Sequence, residues 1–600
     1  MDIFSVPLFL FVILINAAPI AGIVLIIRRA KDSESLPGIG TTRRLFLYGL
    51  AFISLMLATS GVTMLIASVL QGIFDTSIGR GDSSGQTAFG LAATIVGFPI
   101  WLLLMRAGSK SLIIYPSEAG TLGRKFYAYG VMMVSAIVVA FTATQILSSI
   151  LGFDNVEVSG LAAPLVWASV WYFHWRTESR EGQASIVAIT VKHLYVYLTS
   201  AYSLIMLAVS VSFLLHSLLA DAYASLFFDS FRNAGMNDLW GDQVRASAAV
   251  AIIGGFWWWF HWHRATDGDH TSELRVAAVY VLGIFGGLAV TVSGISLALF
   301  SIIKWLIARE SGVSSAAHFD ALPAAAAVTI AGLALWTYHR IVSQQDSAKN
   351  LQRSLSGNRV YGYLSAAVGL VTMAIGFSIL VGLIVGLMSV PNSNIIIAPR
   401  WWGSPLAAAF TSMIVGGSLW LYHWLRRQAA AGATDPTERS MLSRRAYMFS
   451  VFGIAVLASL ISASVVLFHI LEGALERDLS RVDFYDVRWG LGIVASAAVV
   501  SAYHWQVMKE DRTLEPESQD IPTTQPKQIT AVSSIEARPI VTRIASQINA
   551  TVTYWERQDD AGIPVLTNEQ ASLLASEVST ALGEHVLLVV DSSRVQVIPL

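Results

Sequence analysis

Five histidines lie near the ends of apolar segments and are the side chains of this chain best suited to metal or cofactor chemistry. They are His174, His261, His339, His423 and His504. A tryptophan stands three residues before the first four and directly after all but His339. Because neutral imidazole binds haem iron and related metals, the pattern is compatible with axial ligands of a haem or a chlorophyll-type pigment flanked by indole rings.

The same spacing also fits a purely structural role. Residues three apart lie on one face of a helix, and Trp and Tyr are enriched where a membrane meets water. We prefer this interpretation, because several of the histidines have an arginine close by at the segment end rather than lying within the apolar span. The expected inner aromatic belt comprises Trp171, Trp175, Trp258, Trp262, Trp336, Trp420, Trp424, Trp505, Tyr129, Tyr197, Tyr280 and Tyr363.

In this interpretation each histidine bonds a tyrosine hydroxyl or a backbone carbonyl. If each repeat is a hairpin, Tyr129 is expected level with His174, and Tyr197 level with His261. The flanking arginines are expected to meet lipid phosphates.

Other chemistry has little support in the sequence. The chain has no cysteine, which excludes disulfides, thiolate metal sites and cysteine nucleophiles. It also lacks a P-loop, an H-E-x-x-H motif and a Gly-x-Ser-x-Gly elbow. The acidic cluster at Asp267, Asp269 and His270 is interpreted as a solvated loop. We therefore predict no catalytic residues, no metal site and no enzymatic activity.

Composition indicates the class of protein. Of the 600 residues, 54% are hydrophobic and 13% charged, and the mean hydropathy is +0.59. Soluble domains carry roughly 25% charged residues, so these values predict an all-α polytopic membrane protein. The net charge of −1 supplies no basic field for nucleic acid.

The tryptophan-histidine signature recurs every 70 to 87 residues, which indicates a six-fold internal repeat. The first copy keeps Trp101 but has Leu104 in place of histidine. Each copy starts with basic and aromatic residues, as from Arg124 to Tyr129, and then has two apolar segments long enough to cross a bilayer. We predict six helical hairpins after a first helix at 4–27, about thirteen transmembrane helices in all. The predicted bounds are 1–42 for the first helix and its basic loop, and 43–110, 121–178, 190–266, 274–342, 357–428 and 442–507 for the hairpins.

Loop charges predict the orientation. Of the 39 Lys and Arg residues, 23 lie in the loops that join one hairpin to the next, and these loops are expected on the cytoplasmic side. All six hairpins then run parallel, with the N-terminus outside and the C-terminus in the cytoplasm.

The composition changes after Trp505. Residues 508–527 form a charged, proline-bearing linker, and residues 528–600 have the pattern of a small α+β cytoplasmic domain. Helices are expected at 538–548 and 567–582, the second with a capping box from Thr567 to Gln570. Strands are expected at 551–555, 585–590 and 594–598, the last two as a hairpin.

The R-x-x-Y-x-Y starts and W-x-x-H-W-R ends together resemble an uncharacterised prokaryotic membrane-domain family, a domain of unknown function. The resemblance covers about residues 43–507, is clear from Pro164 to Arg176, and departs at Leu104 and Ser501. It implies tandem membrane domains in the cytoplasmic membrane of a prokaryote and brings no activity with it.

The sequence therefore favours a membrane scaffold or accessory subunit of a larger complex. Its expected partners are membrane lipids, other membrane-protein subunits and a cytoplasmic protein bound by residues 528–600, with no nucleic acid. A His-ligated pigment protein and a transporter are the alternatives.

Overall fold

The structure is a computed structural model in two units, Met1–Gln506 and Val507–Leu600, each described by itself. The described residues are 41–74, 84–153, 157–181, 185–228, 241–266, 269–270, 272–309, 312–389, 400–433, 437–477, 479–514, 528–548, 550–557, 564, 567–581, 585–591 and 595–599. The predicted first helix at 4–27 and most of the predicted linker lie outside these residues.

Twelve long helices occupy the described part of residues 41–514. They are α1 Thr41–Phe74, α2 Ser84–Ile114, α3 Leu122–Ile150, α4 Ala162–Glu181, α5 Ile186–Phe227, α6 Asp242–Trp259, α7 Glu273–Ala308, α8 Leu322–Lys349, α9 Leu351–Ser389, α10 Gly403–Ala433, α11 Leu442–Leu475 and α12 Arg488–Leu514. Two stretches are π-helical, Phe260–Ala265 directly after α6 and Ala278–Phe285 within α7. Short helical turns lie at Pro116–Gly120, Val158–Leu161, Ser315–His318, Thr437–Ser440 and Arg481–Asp486.

Ten of these helices are long and apolar enough to cross a membrane, counted over the described residues. The two that fall short are α4 and α6, the second helices of predicted hairpins two and three. In α4 the polar and aromatic residues of the signature lower the mean hydropathy, and in α6 the polar start at Asp242, Gln243 and Arg245 does so. The chain is therefore a mostly helical membrane protein.

The long helices pack in consecutive pairs: α1 with α2, α3 with α4, α5 with α6, α7 with α8, α9 with α10, and α11 with α12. We number these pairs 1 to 6. The first helix of a pair also packs against the second helix of the next pair, as α1 does with α4, α3 with α6, α5 with α8 and α7 with α10. At α9 the same contact is made with α12, where Ser496 Oγ donates to the carbonyl of Ala374 at 2.9 Å.

Small residues permit this close packing. A Cβ added to Gly287 of α7 would lie 2.5 Å from the backbone nitrogen of Trp336 in α8, and one at Gly283 would collide with the ring of His339. A Cβ at Gly382 of α9 would likewise lie 2.5 Å from the ring of Trp489 in α12. These glycines therefore serve helix contact, as small residues commonly do between membrane helices.

Large apolar side chains remain exposed along the outer faces of the pairs. Ile53 is 63% exposed, Ile95 67% and Leu306 74%. Lipid chains accept such side chains, whereas water does not. The surface therefore agrees with the apolar composition.

The second unit contains a four-stranded sheet with two helices. Its elements are β1 Gln528–Ser533, α13 Arg538–Gln547, β2 Thr551–Glu556, α14 Asn568–Thr580, β3 His585–Val590 and β4 Val595–Pro599. The strand order is β2-β1-β3-β4, with β1 parallel to β2 and β3, and β3 antiparallel to β4. Ile529, Val541, Ile544, Val578 and Leu588 belong to a core in which both helices pack against the sheet.

The sequence predicted both helices, three of the strands and the hairpin of β3 and β4. The capping box is present, with Gln570 N donating to Thr567 Oγ1 at 3.3 Å. The central strand β1 was not predicted. Because β1, β2 and β3 are parallel and joined through helices, the sheet has the crossover connections of an α/β domain, and the α+β prediction is corrected in that respect.

Candidate functional site

Four of the five signature histidines bond their own helix. Nδ1 of His174 lies 2.8 Å from the carbonyl of Val170, and Nδ1 of His261, His339 and His504 each lies 2.9 Å from the carbonyl four residues before it. A carbonyl only accepts hydrogen bonds, so Nδ1 carries the proton and Nε2 remains an acceptor. This fixes the tautomer of all four rings.

Three of these histidines accept a hydrogen bond from a tyrosine of the first helix in the same pair. The Tyr127 hydroxyl lies 3.0 Å from Nε2 of His174, and both side chains are buried. The same contact joins Tyr195 to His261 at 2.9 Å and Tyr447 to His504 at 3.4 Å. The tyrosine donates, because Nε2 has no proton to give.

The same tyrosines accept a hydrogen bond from the tryptophan of the preceding pair. Trp101 Nε1 donates to the Tyr127 hydroxyl at 2.7 Å. Trp171 donates to Tyr195 at 2.9 Å, and Trp420 donates to Tyr447 at 3.3 Å. We call each set an aromatic bridge: Trp101, Tyr127 and His174; Trp171, Tyr195 and His261; Trp420, Tyr447 and His504. Each bridge fastens one helix pair to the next.

The junction of pairs 3 and 4 lacks the tyrosine of a bridge. Ala278 stands where pairs 2, 3, 5 and 6 have tyrosine, within the π-helical stretch of α7. Trp258 Nε1 is buried there without a well-formed hydrogen bond to any described residue. The two pairs are joined instead by Trp262, whose Nε1 donates to the Tyr338 hydroxyl at 2.8 Å.

The junction of pairs 4 and 5 has the residue types of a bridge but not its hydrogen bonds. The rings of Tyr361 and His423 meet edge to face, with centroids 5.2 Å apart. Within the described residues His423 has no hydrogen-bond partner, and the buried Nε1 of Trp336 faces Tyr361 without well-formed hydrogen-bond geometry. This bridge is open.

Pair 1 has neither the tyrosine nor the histidine of a bridge. Phe46 stands at the tyrosine position and Leu104 at the histidine position, so neither leaves a polar group unpaired. Phe46 is 70% exposed, whereas Tyr127 is 4% exposed. The apolar Leu104 in α2 is therefore accompanied by an apolar residue, Phe46, at the tyrosine position of α1.

A second set of contacts joins the ends of pairs 1, 2, 4 and 5 through opposite charges. Lys125 Nζ lies 2.7 and 2.6 Å from the two carboxylate oxygens of Glu178, and Tyr129 donates to the same carboxylate at 2.9 Å. Equivalent contacts are Arg44 with Glu118 at 3.0 Å, Arg275 with Asp346 at 2.9 Å and Arg359 with Glu438 at 2.9 Å. The basic residues that start these pairs therefore bind carboxylates.

In pair 3 the acidic residue is Asp269, in the loop after α6. Its carboxylate accepts from the Tyr197 hydroxyl at 2.7 Å and from the backbone nitrogen of Ser272 at 3.0 Å, and it lies 3.4 Å from His193. Burial alone raises the pKa of Asp269, but the hydrogen bonds from Ser272 and Tyr197 outweigh it and lower the pKa. The predicted solvated loop thus contains a buried carboxylate.

Most of the predicted belt faces the protein interior. Trp262, Trp424, Tyr129, Tyr197, Tyr280 and Tyr363 are buried, and Trp171, Trp258, Trp336 and Trp420 are half-buried. Trp175 and Trp505 are exposed at 41% and 56%. The indole and hydroxyl groups of the buried and half-buried members mostly bond other side chains, and these hydrogen bonds offset the cost of burying polar groups.

The tyrosine that contacts each histidine lies two residues before the one that the sequence predicted. Tyr127, not Tyr129, bonds His174, and Tyr195, not Tyr197, bonds His261. Residues two apart point to nearly opposite sides of a helix, so the two tyrosines take different partners. The acidic partners were missed because they follow the histidine position at irregular distances. A search for one carboxylate between each histidine and the next basic start would have found them.

The described residues contain no group of three or more His, Cys, Asp or Glu side chains that could hold a metal ion. Both ring nitrogens of His174, His261 and His504 are engaged in hydrogen bonds. An axial ligand needs a free imidazole nitrogen. Among the described residues, His423 and Nε2 of His339, whose Nδ1 alone is bonded, remain free for such a role.

Comparison with known proteins identifies one family. Residues 44–172, 193–286 and 359–503, more than half of the chain, match the model of DUF5671, a domain of unknown function. The matches begin at Arg44, His193 and Arg359, the basic starts of pairs 1, 3 and 5, and the two longer ones each span two helix pairs. No curated protein and no solved structure matches the chain. The protein therefore belongs to the DUF5671 family and carries tandem copies of its domain.

Proposed function

We propose that this protein is an integral membrane scaffold or accessory subunit that presents a repeat-built apolar surface to the helices of other subunits and to lipids. It comprises six parallel hairpins and a first helix, about thirteen spans, in the cytoplasmic membrane of a prokaryote. The N-terminus lies outside, and residues 528–600 lie in the cytoplasm, where they engage a partner protein.

The aromatic bridges are the observation that carries this proposal. They use the polar groups of the signature to join one helix pair to the next, as Trp171, Tyr195 and His261 do. In such a bridge the indole N–H, the phenol proton and both imidazole nitrogens are already engaged in hydrogen bonds. The outward surface, by contrast, carries apolar side chains such as Ile95 and Leu306. Such a surface suits contact with helices and lipid.

The bridges also support the parallel orientation. A bridge can form only if the end of one second helix and the start of the next first helix lie at the same end of the bundle. Trp101 with Tyr127, and Trp420 with Tyr447, meet this condition near both limits of the array. Alternating orientation would separate these side chains by the length of a helix, roughly 30 Å for 20 residues.

Two alternatives are less well supported. A His-ligated pigment protein needs free imidazole nitrogens, whereas three of the five rings have both nitrogens bonded. A transporter commonly has ionisable groups along its path, whereas Lys125 and Glu178 pair with each other near helix ends. Neither the bonded histidines nor the pair of Lys125 and Glu178 provides a polar route along the helices.

The test is site-specific photocrosslinking of the full chain in its native membrane. Photoreactive residues at Ile95 and Leu306, both exposed, should capture one defined membrane protein at fixed stoichiometry. The matched control is a photoreactive residue at Ala51, which is buried and should capture none. Crosslinks to lipid alone, or a Soret band in the purified protein, would contradict the scaffold proposal.

A further inference from the structure

A cleft of about 550 Å³ opens between pairs 4 and 5, at the open bridge. Its walls are apolar side chains of α7 and α10, among them Leu288, Val292, Leu299 and Val415. From Leu288 to Leu299 the α7 wall extends about 16 Å at 1.5 Å per residue. That is roughly half the 30 Å thickness of a hydrocarbon core, or one leaflet.

One end of the cleft is cationic. Arg340, Arg426 and Arg427 line it together with His423 and Trp336. Arg427 reaches Glu438 at 3.9 Å and the carbonyl of Asn358 at 3.3 Å. Arg426 lies 4.2 Å from the ring centroid of Tyr422, and Arg340 lies 6.0 Å from that of Trp336. Neither of these two has a carboxylate partner among the described residues.

A glycine keeps this end open. Gly362 lies between Tyr361 and Tyr363, where pair 3 has Val196. A Cβ at Gly362 would lie 2.7 Å from Nε of Arg427, so a larger residue would displace the guanidinium. His423, which has no hydrogen-bond partner among the described residues, lies beside these arginines. The cleft thus combines two cations that have no carboxylate partner among the described residues with an apolar channel one leaflet long.

We propose that this cleft binds one anionic phospholipid, whose phosphate is held by Arg340 and Arg426 and whose acyl chain lies between α7 and α10. The unpaired cations select a negative head group, since charge-assisted hydrogen bonds to phosphate are among the strongest that a protein makes. The inference deepens the proposed function and rests on it for the assignment of these helices to the bilayer.

Native mass spectrometry of the delipidated full chain in detergent tests the site. Phosphatidylglycerol should bind as one retained molecule, and phosphatidylcholine should bind more weakly. Arg340→Gln and Arg426→Gln should each weaken phosphatidylglycerol binding about 10-fold, the loss expected for one charge-assisted hydrogen bond. Arg176→Gln is the matched control, because Arg176 contacts Tyr172 four residues earlier, as Arg426 contacts Tyr422, but lies outside the cleft.

Two further arms identify the source of the phosphate. Inorganic phosphate should not displace phosphatidylglycerol, and Val415→Phe, which fills the apolar channel without changing charge, should weaken lipid binding. Full competition by phosphate would show a site for a free anion and would overturn the lipid proposal. Equal binding of the two lipids, or arginine variants that bind normally, would do the same. If the photocrosslinking experiment captures no partner protein, the scaffold proposal is contradicted, but the measured lipid binding is unaffected.

Discussion

The hydroxyl of Tyr195 lies 2.9 Å from Nε2 of His261, although 66 residues separate them in sequence. Trp171, from the preceding helix pair, donates to the same hydroxyl. One phenol thus holds two helix pairs together and satisfies the polar groups of both neighbours. Such a group is costly to remove, because a buried donor and a buried acceptor lose their partner at once.

Tyr195→Phe should lower the free energy of unfolding by about 2 kcal/mol, within the range for leaving buried polar groups unpaired. The measurement is reversible unfolding of the purified protein in mixed micelles. Tyr422→Phe is the control, since Tyr422 is 53% exposed and its hydroxyl can be removed without leaving a buried group unpaired. The bridge interpretation fails if both variants lose the same stability.

The pair Lys125 and Glu178 gives a second prediction. Lys125 is 0% exposed and its nitrogen lies within 2.7 Å of both carboxylate oxygens. Glu178→Leu alone should cost about 3 kcal/mol, because it leaves the buried ammonium with only the more distant carboxylate of Glu181, at 3.7 Å. The double variant Lys125→Met with Glu178→Leu should recover much of that loss. Both variants are measured by the same unfolding assay. A double variant less stable than the single one would show that the ion pair itself stabilises the fold.

The fold was largely predictable, because apolar segments of membrane length and charged loops are local properties of the sequence. The pairings within the site were not. Tyr127 and Tyr129 differ by two positions, and only the packing of α3 against α4 decides which of them meets His174. The strand β1 was missed because its six residues follow a proline-bearing linker and bury only small or isolated apolar side chains, Ile529 and Ala531.

Helix contact at glycine gives a third prediction. A Cβ at Gly287 would lie 2.5 Å from the backbone of α8, whereas one at Gly49 of α1 would meet nothing within 4 Å. Gly287→Ala should therefore destabilise the protein by about 1 to 3 kcal/mol through overpacking, and Gly49→Ala should stabilise it by up to about 1 kcal/mol through helix propensity. The measurement is the free energy of unfolding of both variants in mixed micelles. Equal effects would mean that α7 and α8 are not in close contact.

Asp269 gives a fourth prediction, on pH. Its pKa is lowered in the folded protein, so its contribution to stability is present above the pKa of the unfolded chain, about 3.9, and is lost as the pH falls through the folded value. His193 lies 3.4 Å from this carboxylate and an imidazole ordinarily gains its charge between pH 7 and pH 5, so the comparison is made in a His193→Gln background. In that background the difference in unfolding free energy between the parent and Asp269→Asn should be constant from pH 7 to pH 5 and shrink below about pH 4. Tyr197→Phe removes one hydrogen bond to this carboxylate and should move that loss to higher pH. A difference that grows as the pH falls would mean that the carboxylate is protonated more easily in the folded protein, and the contacts of Asp269 would then not be stabilising.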